Sequence, residues 1–79
     1  MKISRHARNN MRLYQISREE IETTIAAPDS TDKEEHGEIA YKLFPDRFGT
    51  SPLKVVYVLE DDEPFVITAY PLRQAHWRK

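Results

Sequence analysis

The sequence predicts an α+β fold in which two N-terminal helices pack on a twisted antiparallel β-sheet of three to four strands. A capping box at Ser17 marks the start of one helix. Two β-branched segments, 53–59 and 65–70, flank a short acidic connection and predict an antiparallel hairpin. The 79 residues, 39% of them hydrophobic, can bury one core. We therefore expect residues 1–79 to form one domain.

The first helix is predicted over residues 4–14. Ser4 can accept hydrogen bonds from the free amides of the first turn, as a helix N-cap does. Four residues share the spacing of one buried stripe: Ile3, Ala7, Met11 and Tyr14.

The second helix is predicted over residues 17–26. Ser17 and Glu20 form the capping box, and Ile16 and Ile21 have the spacing of a hydrophobic staple. Ala27-Pro28 is expected to end the helix, because the residue before a proline disfavours the helical conformation.

The second half of the chain is predicted to form the sheet. Residues 28–37 are polar and acidic and are interpreted as a loop, whereas residues 38–44 alternate in polarity like a strand. The hairpin of residues 53–59 and 65–70 is expected to be central, with Ile67 buried in the core.

Charge is unevenly distributed along the chain, although the net charge is −1. Residues 1–18 carry +5, residues 19–63 carry −9 and residues 64–79 carry +3. If the fold brings the two ends together, they form a cationic face that suits phosphates, with His76 and Trp77 beside it. The alternative is that these charges are ordinary solvated surface. A pI near 6.3 counts against a dedicated nucleic-acid-binding protein.

Several kinds of site are disfavoured by the sequence. The sequence has no cysteine, and its histidines and carboxylates do not have the spacing of metal ligands. It has only two glycines, so it has no glycine-rich phosphate-binding loop. We therefore expect no metal, no nucleotide and no other cofactor. No apolar run approaches the ~20 residues of a transmembrane helix, and no secretory signal is visible. A cytoplasmic location is therefore expected.

Short segments spread over most of the chain resemble one bacterial family. They are Ile3-Ser4-Arg5-His6-Ala7, Met11, Ile16-Ser17 with Glu20, Leu53-Lys54-Val55-Val56-Tyr57 and Val66-Ile67-Thr68-Ala69-Tyr70-Pro71. The family is a domain of unknown function, number 4258, which is in turn similar to the RelE and BrnT ribonuclease toxins. The resemblance implies a RelE-like fold. The chain departs from the family where basic residues often stand, at Asn10 and at Tyr14-Gln15.

The resemblance implies a toxin-like, metal-independent endoribonuclease of a toxin–antitoxin system. Such an enzyme needs a base for the RNA 2′-hydroxyl, cations for the phosphate and an acid for the leaving oxygen. The candidate catalytic residues are His6, Arg12, Thr68 and Tyr70, and the candidate RNA-binding residues are Arg5, Arg8, Arg73 and His76. The alternatives are an exposed His6 without a role, and a Thr68 and a Tyr70 that only pack in the core.

The implied partners are mRNA or tRNA, with or without the ribosome, and a small antitoxin protein that covers the basic face. A competing hypothesis is a non-catalytic interaction domain on the same scaffold. Such a domain would form a homodimer or bind a partner through an exposed sheet edge and the Trp77 segment.

Overall fold

The computed structural model describes residues 1–72, which form a mixed five-stranded sheet with helices packed on it. The strands are β1 (Lys2–Ile3), β2 (Ser30–Glu34), β3 (Gly37–Lys42), β4 (Leu53–Glu60) and β5 (Glu63–Pro71). The helices are α1 (Arg5–Tyr14), α2 (Arg18–Ala26) and the single turn α3 (Pro45–Phe48). The α+β class is confirmed.

The two predicted helices are confirmed, together with the caps that begin them. Ser4 Oγ accepts a hydrogen bond from the backbone N–H of Ala7 at 3.0 Å. Ser17 and Glu20 form both hydrogen bonds of the capping box. Local side-chain chemistry therefore determines where each helix starts.

The sheet has more strands than the sequence predicted, and it is not purely antiparallel. The strand order is β1-β5-β4-β3-β2. The pairs β2–β3, β3–β4 and β4–β5 are antiparallel, whereas the two-residue strand β1 pairs parallel with β5. The prediction of three to four antiparallel strands was therefore wrong, but β4 and β5 are interior strands as expected.

Strand β2 replaces part of the loop predicted for residues 28–37. All five of its residues, Ser30–Glu34, are exposed, and the strand pairs with β3 along its whole length. Because no side chain of β2 is buried, the strand lacks the alternation that makes other strands visible in a sequence. Backbone pairing with β3 forms this edge strand, and the loop prediction was wrong here.

The core lies between the helices and one face of the sheet. Its buried cluster is Ala7, Ile16, Ile21, Leu53, Val55, Val66 and Ala69. Residues that pair across strands share a face, and successive residues alternate between faces. Val55 pairs with Ala69 on the helix-covered face, so Lys54 and Val56 lie on the opposite face, which we call the open face.

A β-bulge in β5 overturns the prediction that Ile67 is a core residue. Tyr57 pairs with Val66, but Val56 pairs with Thr68, so Ile67 is an extra residue without a partner on β4. Val66 and Ala69 are fully buried, three positions apart, and Ile67 is half-buried. The inserted residue breaks the strict period of two on which the sequence prediction depended.

Candidate nucleic-acid interface

Ser4 connects the start of α1 to the bulge of β5. Its backbone N–H donates to Val66 O at 2.9 Å, and its hydroxyl donates to Ile67 O at 2.7 Å. The same hydroxyl oxygen accepts the Ala7 N–H that caps the helix. One side chain thus fixes the position of α1 relative to β5.

Farther along α1, Asn10 contacts β5 directly. Its Nδ2 donates to Thr68 Oγ1 at 3.2 Å, and both side chains are partly buried. His6 is exposed and lies four positions before Asn10, so the two side chains are neighbours on one flank of the helix. We call the set of His6, Asn10 and Thr68 the α1–β5 seam.

The three arginines of α1 lie on a different side of the helix. At roughly 100° per residue, Arg5, Arg8 and Arg12 fall within one narrow sector, and all three are exposed. We call them the arginine stripe. Measured from Ala7, which faces the core, Arg8 and Asn10 lie on opposite flanks. The structure therefore separates Arg12 from two of the other predicted catalytic residues, His6 and Thr68.

Tyr70 lies on the open face of the sheet, in a row that crosses three strands. It pairs with Lys54 of β4, and Lys54 pairs with Tyr41 of β3. Lys54 Nζ lies 5.5 Å from the centroid of the Tyr70 ring, which is a cation–π distance. All three side chains are half-buried. We call them the tyrosine–lysine row.

Two predicted RNA-binding residues, Arg73 and His76, lie outside the described residues, and so does Trp77. Of the two basic chain ends, the C-terminal one is therefore described only up to Leu72. Within that range, α1 packs along β5.

The acidic residues are concentrated at the opposite end of the sheet strands from the tyrosine–lysine row. The antiparallel order brings the β2–β3 turn and the β4–β5 turn to the same end. The carboxylates there are Glu34, Glu35, Glu60, Asp61, Asp62 and Glu63. A shallow open cleft of about 420 Å³ lies between the β2–β3 turn and the end of β4. Its acidic lining repels phosphates, so the cleft does not suit RNA.

Glu20 and Tyr57 have shifted pKa values and lie away from the seam and the row. Burial opposes the ionisation of Glu20, but hydrogen bonds from Arg47 and Ser17 and the Arg47 charge outweigh it, so the pKa of Glu20 is lowered. Burial, with the nearby Glu38 charge, raises the pKa of Tyr57. Both groups belong to the packing of the fold.

Comparison with known families shows which family the chain belongs to. The family model described as "Domain of unknown function (DUF4258)" matches residues 3–71. The chain belongs to this family. No curated protein and no solved structure matches it. The matched region contains the seam, the arginine stripe and the row.

Two negative findings concern only residues 1–72. In this range no three His, Cys, Asp or Glu side chains are grouped so that they could hold a metal ion. Within the same residues, no helix combines the length and the apolar composition needed to cross a bilayer.

Sequence reasoning missed Asn10, Lys54 and Tyr41. The family pattern marks Asn10 only as a departure, but Asn10 lies three residues after Ala7 on the inner side of α1. A regular hairpin about the Asp61-Asp62 turn pairs Lys54 with Ala69. Only the bulge brings Lys54 opposite Tyr70. The spacing of Asn10 was thus visible in the sequence, and the tyrosine–lysine row was not.

Proposed function

We propose that this domain binds RNA beside the α1–β5 seam and cleaves it as a metal-independent, toxin-like endoribonuclease. The observation that carries the proposal is the Asn10–Thr68 hydrogen bond. It joins the helix flank that bears His6 to the strand that bears Tyr70, and Lys54 lies over the Tyr70 ring. The adjoining elements α1, β5 and β4 thus contribute an imidazole, an amide, two hydroxyls and an ammonium.

These groups match the steps of RNA self-cleavage. The His6 imidazole acts as the general base that removes the proton from a ribose 2′-hydroxyl. The 2′-oxygen attacks the adjacent phosphorus, and the bond to the 5′-oxygen breaks. The Tyr70 hydroxyl donates a proton to that leaving oxygen, while Lys54 stabilises the added negative charge on the phosphate. The products are a 2′,3′-cyclic phosphate and a 5′-hydroxyl.

The supporting cations differ from those expected from the sequence. Lys54 lies on the open face with Tyr70, whereas the arginine stripe is turned away from Thr68. We propose that the stripe binds flanking phosphates and that Arg12 contributes to affinity rather than to the chemical step. RelE-like architecture and control by an antitoxin remain parts of this proposal.

The experiment that tests the proposal is cleavage of single-stranded RNA by the purified chain in buffer with a chelator. We expect cyclic-phosphate ends, and we expect His6→Ala to reduce the rate by roughly 10²–10⁴-fold. His36→Ala is the matched control, because His36 is 85% exposed in the β2–β3 turn. Unchanged cleavage by His6→Ala, or equal cleavage of 2′-deoxy substrates, would contradict the proposed chemistry.

A non-catalytic interaction domain is the second candidate, and exposed apolar side chains favour it. Leu13 is 70% exposed and Tyr14 is 43% exposed at the end of α1. These two residues suit a protein partner, such as an antitoxin or a second copy of the chain. If the wild-type chain cleaves no RNA in a panel with and without ribosomes, this candidate replaces the enzyme.

A further inference from the structure

The tyrosine–lysine row is built from residues far apart in the sequence and brought together by strand pairing. Tyr41, Lys54 and Tyr70 occupy three adjacent strands at one level of the open face. Adjacent strands are about 4.8 Å apart, so the two tyrosines are roughly 10 Å apart with the lysine between them. The row therefore presents an aromatic ring, a cation and a second aromatic ring in a line.

The row lies next to a second row of paired residues on the same face of the sheet. The neighbouring row contains Ile39 and Val56, which pair with each other and are only 7% and 5% exposed. Thr68 continues that neighbouring row on β5, and Asn10 binds it. A ligand lying along the tyrosine–lysine row thus reaches the α1–β5 seam at its β5 end.

We infer that the tyrosine–lysine row binds unpaired nucleotides of the RNA substrate, with a base stacked on each tyrosine and a phosphate bound by Lys54. The inference rests on the proposed function and specifies its substrate as single-stranded. Aromatic side chains on an open sheet recognise RNA by stacking on splayed bases, and bases inside a duplex are not accessible to them.

Charge favours a nucleic acid at this level of the sheet. The acidic turns lie at the far end of the strands, with Glu60 six residues beyond Lys54, or about 20 Å along β4. A polyanion is repelled from those turns and is attracted to the ammonium of Lys54. Lys42 follows Tyr41 in β3 and pairs with the core residue Leu53, so it lies on the helix-covered face, with its Nζ 3.8 Å from Asp29 Oδ1. Lys54 is therefore the lysine of the row.

The test is a binding measurement that is independent of cleavage. Single-stranded oligonucleotides with 2′-O-methyl riboses cannot undergo attack by the 2′-oxygen, so their affinity can be measured by fluorescence anisotropy with every variant. Tyr41→Leu and Tyr70→Leu are each expected to weaken binding about ten- to hundredfold. Tyr→Phe at either position keeps the ring and is expected to retain most of the affinity. Tyr14→Leu, on α1, is the matched control.

Replacing Lys54 is expected to change how RNA affinity depends on salt, which the tyrosine variants should not change. Lys54→Gln should lower the slope of log affinity against log salt by about 0.7, because one phosphate contact is lost. The tyrosine variants should leave that slope unchanged. Lys33→Gln on the exposed strand β2 is the control for a lysine outside the row.

The outcomes separate this inference from the proposed function. Wild-type binding that is insensitive to both Tyr→Leu variants, or that is equally strong for a duplex, would overturn the row as the binding site for bases. His6-dependent cleavage of ordinary RNA to cyclic-phosphate ends would still support the proposed ribonuclease chemistry. Tyrosine-dependent binding without cleavage of ordinary RNA would support the row and contradict the enzyme. Circular dichroism of each variant, together with the Tyr→Phe pair, distinguishes lost stacking from lost folding.

Discussion

At the scale of single residues, the extra residue in β5 changes the environment of its neighbours. Val66 and Ala69 both reach the core because Ile67 lies between two registers of the same strand pair. The carbonyl of Ile67 accepts the Ser4 hydroxyl, so the bulge also fixes the start of α1. Without the inserted residue, Lys54 would not pair with Tyr70.

The different burial of Ile67 and Leu53 leads to a stability prediction. Ile67→Ala should lower the free energy of unfolding by only about 1 kcal/mol, because a half-buried side chain loses part of its transfer free energy and leaves no enclosed cavity. Leu53→Ala should cost about 2–5 kcal/mol, because Leu53 is fully buried. Urea unfolding of both variants is the measurement. Equal losses would show that Ile67 is packed in the core and that the bulge is wrongly placed.

At the scale of elements, Glu20 joins the start of α2 to the short helix α3. Its carboxylate accepts the Ser17 N–H of the capping box and lies 2.6 Å from Arg47 Nε. Arg47 also donates to the carbonyl of Gln15, which ends α1 in the left-handed conformation. One ion pair thus contacts all three helices, and the exposed fraction of the Glu20 side chain is only 14%.

The lowered pKa of Glu20 predicts a pH-dependent contribution to stability. Its pKa is below 4.5 in the folded chain, so the ionised carboxylate stabilises the fold fully above pH 4.5, and this contribution is lost as the pH falls through the folded-state pKa. Glu20→Gln should therefore cost about 1 kcal/mol at pH 7, and the difference from wild type should shrink toward pH 3.

The matched control for this prediction is Glu22→Gln. Glu22 is half-exposed and pairs with Arg18 one turn away on the same helix. Such a pair contributes only about 0.3–0.5 kcal/mol. A Glu20→Gln deficit that is independent of pH would show that the carboxylate does not interact with Arg47 in solution.

At the scale of the whole molecule, charge is arranged along the strands and across α1. The acidic turns occupy one end of the sheet, and the arginine stripe lies on the outer side of α1. The net charge of −1 conceals this polarity. An approaching RNA is therefore expected to be oriented by the field of the protein before it makes close contacts.

The arginine stripe predicts how RNA affinity depends on salt. Replacing Arg8 and Arg12 together with glutamine should weaken binding to all single-stranded sequences and lower the salt slope by about 1.4, which corresponds to two phosphate contacts. The cleavage rate at saturating RNA should change much less than it does in His6→Ala. The measurement is a salt titration of affinity beside single-turnover cleavage. An unchanged slope would exclude the stripe from the interface.

The sequence by itself determined the local features of this protein. The caps at Ser4 and Ser17, the two helices, the hairpin of β4 and β5 and the α+β class all depend on residues close together in the chain, so their spacing was sufficient. It also identified His6, Thr68 and Tyr70 as candidates for chemistry.

Only the tertiary structure decided how those candidates are arranged. Strand β2 buries no side chain and therefore leaves no hydrophobic pattern in the sequence. The bulge at Ile67 moves the register by one residue, and that shift creates the tyrosine–lysine row. The contact between Asn10 and Thr68 spans 58 positions of the chain. Contacts of this kind depend on the packing of α1 against β5, and no periodicity within either segment specifies them.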